Sequence, residues 1–175
     1  MLEPVTVRGE SIVLRAFTPA DAPEIDAAAS DPDVQRWNPI GLSGLEWCAN
    51  RADWSEGAHA SWAIADAADP ARLLGSVSLH KIDLDQRDCE VGFMVLPAHR
   101  GRGLAGIALR AATEFAFTEL DLRRVYLYHA AENVGSCRTA QAAGFRLEGV
   151  HLQSYRYGDG EWHDEHSHAQ LRSEG

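Results

Sequence analysis

The stretch Arg100-Gly101-Arg102-Gly103-Leu104-Ala105-Gly106 sets two arginines among three glycines, just after the apolar run Cys89 to Leu96. A helix is expected to begin at Gly103. The first backbone N–H groups of a helix have no intrahelical partner, and with the helix dipole they form an anion site suited to a pyrophosphate. Gly101 and Gly103 let the backbone approach a ligand without a Cβ in the way, and Arg100 and Arg102 add positive charge. A plain turn needs fewer of either. The same residues match the dinucleotide pattern GxGxxG. That pattern belongs immediately after a strand, with an acidic residue closing the next strand. Here Pro97 to Arg100 intervene, the next strand is expected over Val125 to His129, and Glu132 comes only in the loop beyond. The phosphate loop GxxxxGK[ST] is absent, which disfavours a nucleotide hydrolase.

Other residues carry chemistry of their own. Glu90 is a carboxylate inside an otherwise apolar strand, where desolvation would raise its pKa toward that of a useful general base. Asn133 and Ser136 stand at the start of a predicted helix, where either can cap the backbone. Cys137 reads as a small buried residue. His163, His166 and His168 resemble a metal cluster by type, but His166 and His168 share one side of a strand and His163 takes the other. They read as a polar edge strand, and no metal is expected. Of the five tryptophans, most are expected in the core.

These residues need a scaffold. The chain has 175 residues, 45% hydrophobic and 24% charged, as one globular domain over 1–175 would have. Ser11 to Phe17, Ala60 to Ala65, Leu74 to Ile82, Cys89 to Leu96, Val125 to His129, Arg146 to Arg156 and Glu161 to Leu171 are predicted strands. Thr18-Pro19-Ala20-Asp21 opens a helix, with others from Asp31 to Trp37, from Ser43 to about Glu56, over Gly103 to Leu120 and over Ser136 to Ala143. Leu104, Ile107, Ala108, Ala111, Phe115 and Leu120 form the apolar stripe of the longest helix. The order mixes strands and helices without strict βαβ alternation, so an α+β fold with a largely antiparallel central sheet is expected. The net charge of −10 disfavours a nucleic-acid partner; it would attract a cationic one such as an amine, or it serves solubility alone. No apolar run suggests a membrane span, no secretory signal is visible, and three scattered cysteines suggest a reduced, cytoplasmic protein.

Arg100 to Ala105 resembles the [R/Q]xxGx[G/A] acetyl-CoA motif of the GNAT superfamily of N-acetyltransferases. Leu14-Arg15-Ala16-Phe17 with Asp21, Cys89-Glu90-Val91-Gly92-Phe93, Asn133-Val134-Gly135-Ser136, Ala143-Gly144-Phe145-Arg146 and Glu148-Gly149 resemble, in order, further segments of its RimJ/RimL-like branch. The resemblance implies the GNAT-like acyl-CoA N-acyltransferase fold, acetyl-CoA as donor, and a protein N-terminus or a small-molecule amine as acceptor. It implies that the backbone around Met94 and Val95 holds the pantetheine arm. Arg100, Gly101, Arg102, Gly103, Leu104 and Ala105 would wrap the pyrophosphate, with Asn133 on the pantetheine side of the cofactor and Ser136 near its sulfur. On this reading Glu90 is the base, acting through a water, and Ser136 protonates the leaving thiolate, with a tyrosine as the alternative acid. Trp37 and Tyr155 would border the acceptor, and dimers are common among relatives. Two other classes stay open: a non-catalytic acyl-CoA-binding protein and a dinucleotide oxidoreductase.

Overall fold

A computed structural model describes residues 2–9 and 11–173. Eight strands form one mixed sheet in the order β1-β2-β3-β4-β5-β6-β8-β7. The first half comprises β1 (Val7–Arg8), β2 (Ile12–Arg15), β3 (Ala60–Asp66), β4 (Leu73–Asp83) and β5 (Asp88–Val95); the second comprises β6 (Arg124–Ala130), β7 (Arg146–Arg156) and β8 (Trp162–Leu171). Every neighbouring pair is antiparallel except β5 and β6, which run parallel. The expected mixed, largely antiparallel sheet is therefore present.

Helices cover both faces. One face carries α4 (Leu104–Thr118) and α5 (Val134–Ala142); their side chains join Ile12, Trp62, Val77, Val91, Val125 and Leu127 in the larger core. The other face carries α1 (Ala22–Ala28), α2 (Pro32–Trp37) and α3 (Gly44–Ala52) over a smaller core around Phe17, Ile25, Val34, Trp47 and Met94. Double coverage explains why β2 buries Val13 together with Ile12 and Leu14, although alternate side chains of a strand point to opposite faces. The buried face of α4 also differs from the expected stripe. Leu109, Ala112 and Ala116 are fully buried and Ile107 only partly, because a packed helix presents a wider apolar surface than a single row.

Local signals set most boundaries. Asp31 caps α2 by accepting from the N–H groups of Asp33 and Val34, and Ser43 with Glu46 forms a capping box on α3. Gly144, at φ +95°, ends α5; its neighbour Phe145 is buried and donates its N–H to the Ala140 carbonyl. One expectation is corrected: β8 is not an edge strand, because the hairpin folds back so that β8 lies between β6 and β7 and leaves β7 at the edge. No helix among the described residues is long and apolar enough to cross a membrane.

Candidate active site

The parallel pairing of β5 with β6 spans only Asp88↔Arg124, Cys89↔Val125 and Glu90↔Tyr126. Beyond Glu90 the two strands part, although β5 continues to Val95 and β6 to Ala130. The wedge exposes one row of β5 backbone N–H and C=O groups, the unpaired edge on which an extended ligand can form strand-like hydrogen bonds. A cleft of about 670 Å³ runs from this wedge along the start of α4. It is lined by Met94, Val95, Arg100 to Gly106, Asn133 and Ser136, so every residue expected to hold the acyl donor meets there.

Gly101 and Gly103 both adopt left-handed backbone, with φ of +75° and +72°. The intrahelical ladder of α4 begins only with the Ile107 N–H on the Gly103 carbonyl. The N–H groups of Leu104, Ala105 and Gly106 therefore sit unpaired along the cleft, as an anion site requires. The two arginines have separate roles. Arg100 is bound by the carboxylates of Asp31, at 2.8 Å, and Asp33, at 3.2 Å. Its guanidinium holds the Asp31 carboxyl below the usual range, and its charge is largely spent on fixing the N-terminus of α2. Arg102 is exposed beside the glycines and forms no ion pair among the described residues, so it is the free cation at this turn.

Across the wedge, Asn133 Oδ1 accepts from the Ser136 N–H at 3.1 Å and caps α5. The cap is thus supplied by Asn133, and the Ser136 hydroxyl is left to the cleft that it lines.

A second cleft, of about 350 Å³, opens on the α3 face of the sheet. Trp37, Trp47, Arg51, Ser76, Ser78, His80, Gly92, Tyr155, Arg156 and Tyr157 are among its walls. A smaller cavity, of about 70 Å³, fills the root of the wedge between Val91 and Leu127. Trp37, Asn38 and Phe93 line all three spaces and mark their junction. The structure thus brings Trp37 and Tyr155 together at the second cleft.

Glu90 is placed otherwise. It lies on the same sheet face as Gly92, but its carboxylate accepts from Lys81 Nζ at 2.7 Å and it lines none of the three spaces. The apolar strand suggested an unpartnered carboxylate; the neighbouring strand supplies an ammonium instead. The group that does face the second cleft is His80, paired in register with Glu90. Burial, reinforced by the Arg51 charge, lowers the His80 pKa and keeps the imidazole neutral around pH 7. Tyr157 is a further residue that sequence reasoning passed over. Its hydroxyl donates to Glu165 at 3.0 Å, and burial pushes the phenol strongly upward, so it stays protonated.

Walls of the second cleft come from distant parts of the chain. Trp37 stands at the C-terminal end of α2, which is fixed to the β7–β8 turn: Gly158 N–H donates to the Arg36 carbonyl, and Arg36 pairs with Asp159. A Cβ at Gly158 would lie 1.8 Å from the Gln35 carbonyl oxygen, so only glycine allows this approach. His163, buried beneath, contacts Trp37 and Tyr157 and bonds both Asp159 and Glu132. Burial works against its charge, but the two carboxylates outweigh it and raise its pKa.

With this geometry in view, comparison with known proteins is direct. Residues 11–146 match the acetyltransferase (GNAT) domain model, so the chain belongs to the GNAT acetyltransferase family. It is an N-acetyltransferase of the GNAT type, similar to an uncharacterized N-acetyltransferase of Bacillus subtilis (strain 168). The identity there is 28% over 163 residues, covering 89% of this chain and 90% of the relative. Among solved structures, Mycobacterium smegmatis RimJ in complex with CoA-disulfide superposes with a TM-score of 0.83 at 21% identity, covering 97% of this chain and 90% of that one. Spermidine N-acetyltransferase from Vibrio cholerae, solved with CoA and spermine, gives 0.80 at 23% identity, covering 93% and 96%.

Proposed function

We propose that the chain transfers an acetyl group from acetyl-CoA to a primary amine that also carries a negatively charged group, by direct attack in a ternary complex. The observation that carries the acceptor class is the composition of the second cleft. Arg51, Arg156 and His80 line it, and among the described residues no aspartate or glutamate does. Arg51 stacks 3.5 Å from the Trp47 ring centroid, and its buried Nε has no hydrogen-bond partner. Desolvation lowers its pKa to about 10, which still leaves it cationic at neutral pH. A half-buried guanidinium whose Nε is unanswered favours a carboxylate or phosphate on the acceptor. The overall charge of −10 points toward a cationic acceptor, but the cleft walls carry the opposite sign. A polyamine such as that bound by the Vibrio cholerae relative finds no carboxylate there. Small amino acids, and peptides with an acidic residue near the N-terminus, both meet the requirement.

On this reading the donor lies along the first cleft, with its pyrophosphate at Gly101 to Ala105 beside Arg102 and its pantetheine arm against the Met94–Val95 backbone. The thioester reaches the junction at Phe93. His80 takes the proton from the acceptor ammonium, directly or through a water. The freed amine attacks the thioester carbonyl, forming the C–N bond, and the C–S bond breaks. The departing thiolate takes a proton from the Ser136 hydroxyl, which is restored by the second proton shed from the acceptor nitrogen, directly or through a water. Glu90, engaged by Lys81, supports the strand that carries Gly92 and performs no proton transfer.

The test is thiol release from acetyl-CoA over an amine panel that includes amino acids, acidic and neutral N-terminal peptides, spermidine and spermine. Turnover is expected with the anionic acceptors and should fall when Arg51 is replaced by Met. Efficient acetylation of spermidine alone would overturn the acceptor class. His80→Asn should reduce kcat by roughly 100-fold or more and remove the acidic limb of the kcat/KM profile, whose midpoint lies below the ordinary histidine value of 6.5. Glu90→Gln should change kcat by less than about threefold, within the range of a lost exposed ion pair. The reverse ranking would return the base to Glu90.

A further inference from the structure

Beneath the wedge, on the face opposite the second cleft, four side chains converge that take no part in the reaction. His129 lies on β6, Cys137 on α5, and His166 and His168 on β8. One ligand-type atom of each lies within 4.8 Å of all the others. Strand register produces the convergence: His168 pairs with Leu127 and His166 with His129, so all three rings share one face, and the second turn of α5 lowers Cys137 onto them. His163, which looks like part of the set in sequence, points to the other face and pairs with Glu132 and Asp159.

The distances are those of a compact coordination sphere. His129 Nε2 lies 3.2 Å from His168 Nε2, and Cys137 Sγ 3.9 Å from the same nitrogen. A tetrahedral zinc ion with ordinary Zn–N and Zn–S bonds sets N···N at about 3.3 Å and N···S at about 3.6 Å, so these two pairs already fit, and the wider ones, all within 4.8 Å, must close further on binding. The surroundings also suit a ligand. His129 Nδ1 donates to its neighbour Ala130's carbonyl at 2.8 Å, the outer contact that directs Nε2 and its lone pair inward. His129 and His168 are 5% and 0% exposed, and His166 Nδ1 is buried without a hydrogen-bond partner. A buried polar cluster pays for each unmade bond. Besides the Ala130 contact, one His–His contact and one weak sulfur contact do not satisfy three imidazoles and a thiol.

We propose that His129, Cys137, His166 and His168 form a binding site for a zinc-class divalent cation that fastens α5 to β6 and β8. Three imidazoles and one thiolate match a borderline-soft ion, and four protein ligands close the sphere, so the role is structural. Binding releases the Cys137 proton to solvent; the imidazoles bind through their lone pairs, and no redox change is involved. Because Ser136 precedes Cys137 and Asn133 caps the same helix, the ion would hold the acyl-donor wall of the wedge from behind.

The test uses the full-length protein, stripped with a chelator and then titrated with Zn²⁺ and separately with Co²⁺. A single ion per chain by elemental analysis is expected. Bound Co²⁺ should show the intense visible bands of tetrahedral geometry and a thiolate-to-metal charge-transfer band, and Zn²⁺ should raise the melting temperature. Cys137→Ser should abolish the charge-transfer band. Cys137→Ser and His166→Asn should each weaken Zn²⁺ by more than the roughly 10–100-fold lost with an outer contact. His151→Asn, on the exposed strand β7, should bind as the parent does. A stripped protein that takes up neither ion would overturn the proposal, as would a Co²⁺ complex lacking the thiolate band. These two readouts use the parent protein, so they decide the matter even where a variant fails to fold.

Discussion

Single residues divide the donor site into parts that substitution can separate. Gly103 sits at φ +72° where α4 begins, with open space around it. Gly103→Ala therefore meets no steric block but does incur left-handed strain of about 1–2 kcal/mol. Relaxing that strain would swing the free N–H groups away from the ligand, so CoA affinity should fall by roughly 5–30-fold while the fold persists; calorimetric titration with CoA measures it. The two arginines that look alike in sequence differ for a physical reason. Arg102 stays exposed, whereas Arg100 meets Asp31 and Asp33, partners about seventy positions earlier in the chain that no local pattern reveals. His80 and Arg51 were hidden in the same way. His80 reaches the cleft through its pairing opposite Glu90, and Arg51 through the packing of α3. Glu90 drew attention because its apolar neighbours are adjacent in sequence, while the lysine that engages it lies across the hairpin.

At the scale of elements, the glycine turn with its flanking strand and helix was fully legible, because strand alternation, glycine spacing and helix periodicity are all short-range. The divergence of β5 from β6 was not, since it depends on where a parallel ladder stops. Nor was the inner position of β8, which follows from how the last hairpin folds back. That hairpin matters to the acceptor side. Gly158 packs its backbone against the last turn of α2, and Gly158→Ala must push the two apart. The expected result is a loss of acceptor affinity, seen as a raised KM, with CoA binding little changed because α4 and its glycine turn lie elsewhere. Steady-state kinetics with each substrate varied in turn separates these outcomes. Equal damage to both constants would show that α2 serves the donor as much as the acceptor.

The whole molecule has one buried ion pair at its foundation. Asp21, 2% exposed, accepts two hydrogen bonds from Arg15 at 2.7 and 2.8 Å and another from the Thr18 N–H. Burial opposes its charge, but the arginine and the amide outweigh burial and lower its pKa below 3.8. A carboxyl with a depressed folded pKa contributes stability that is complete above its unfolded pKa and is lost as pH falls through the folded one. Asp21→Asn should thus cost about 3–5 kcal/mol near pH 7 by leaving Arg15 unanswered. The gap between parent and variant should narrow below about pH 4, which urea unfolding at both pH values measures. The two halves of the sheet, by contrast, share only three residue pairs between β5 and β6. On one face α4 packs against both halves, and on the other α2 spans the wedge, joined to the first half through Arg100 and to the second through Gly158 and Asp159. A short hinge at one end and a rigid strut at the other make a caliper. Its opening is gauged by the length of a six-residue helix, so a residue inserted into or deleted from that helix would reset the thickness of acyl chain the enzyme admits.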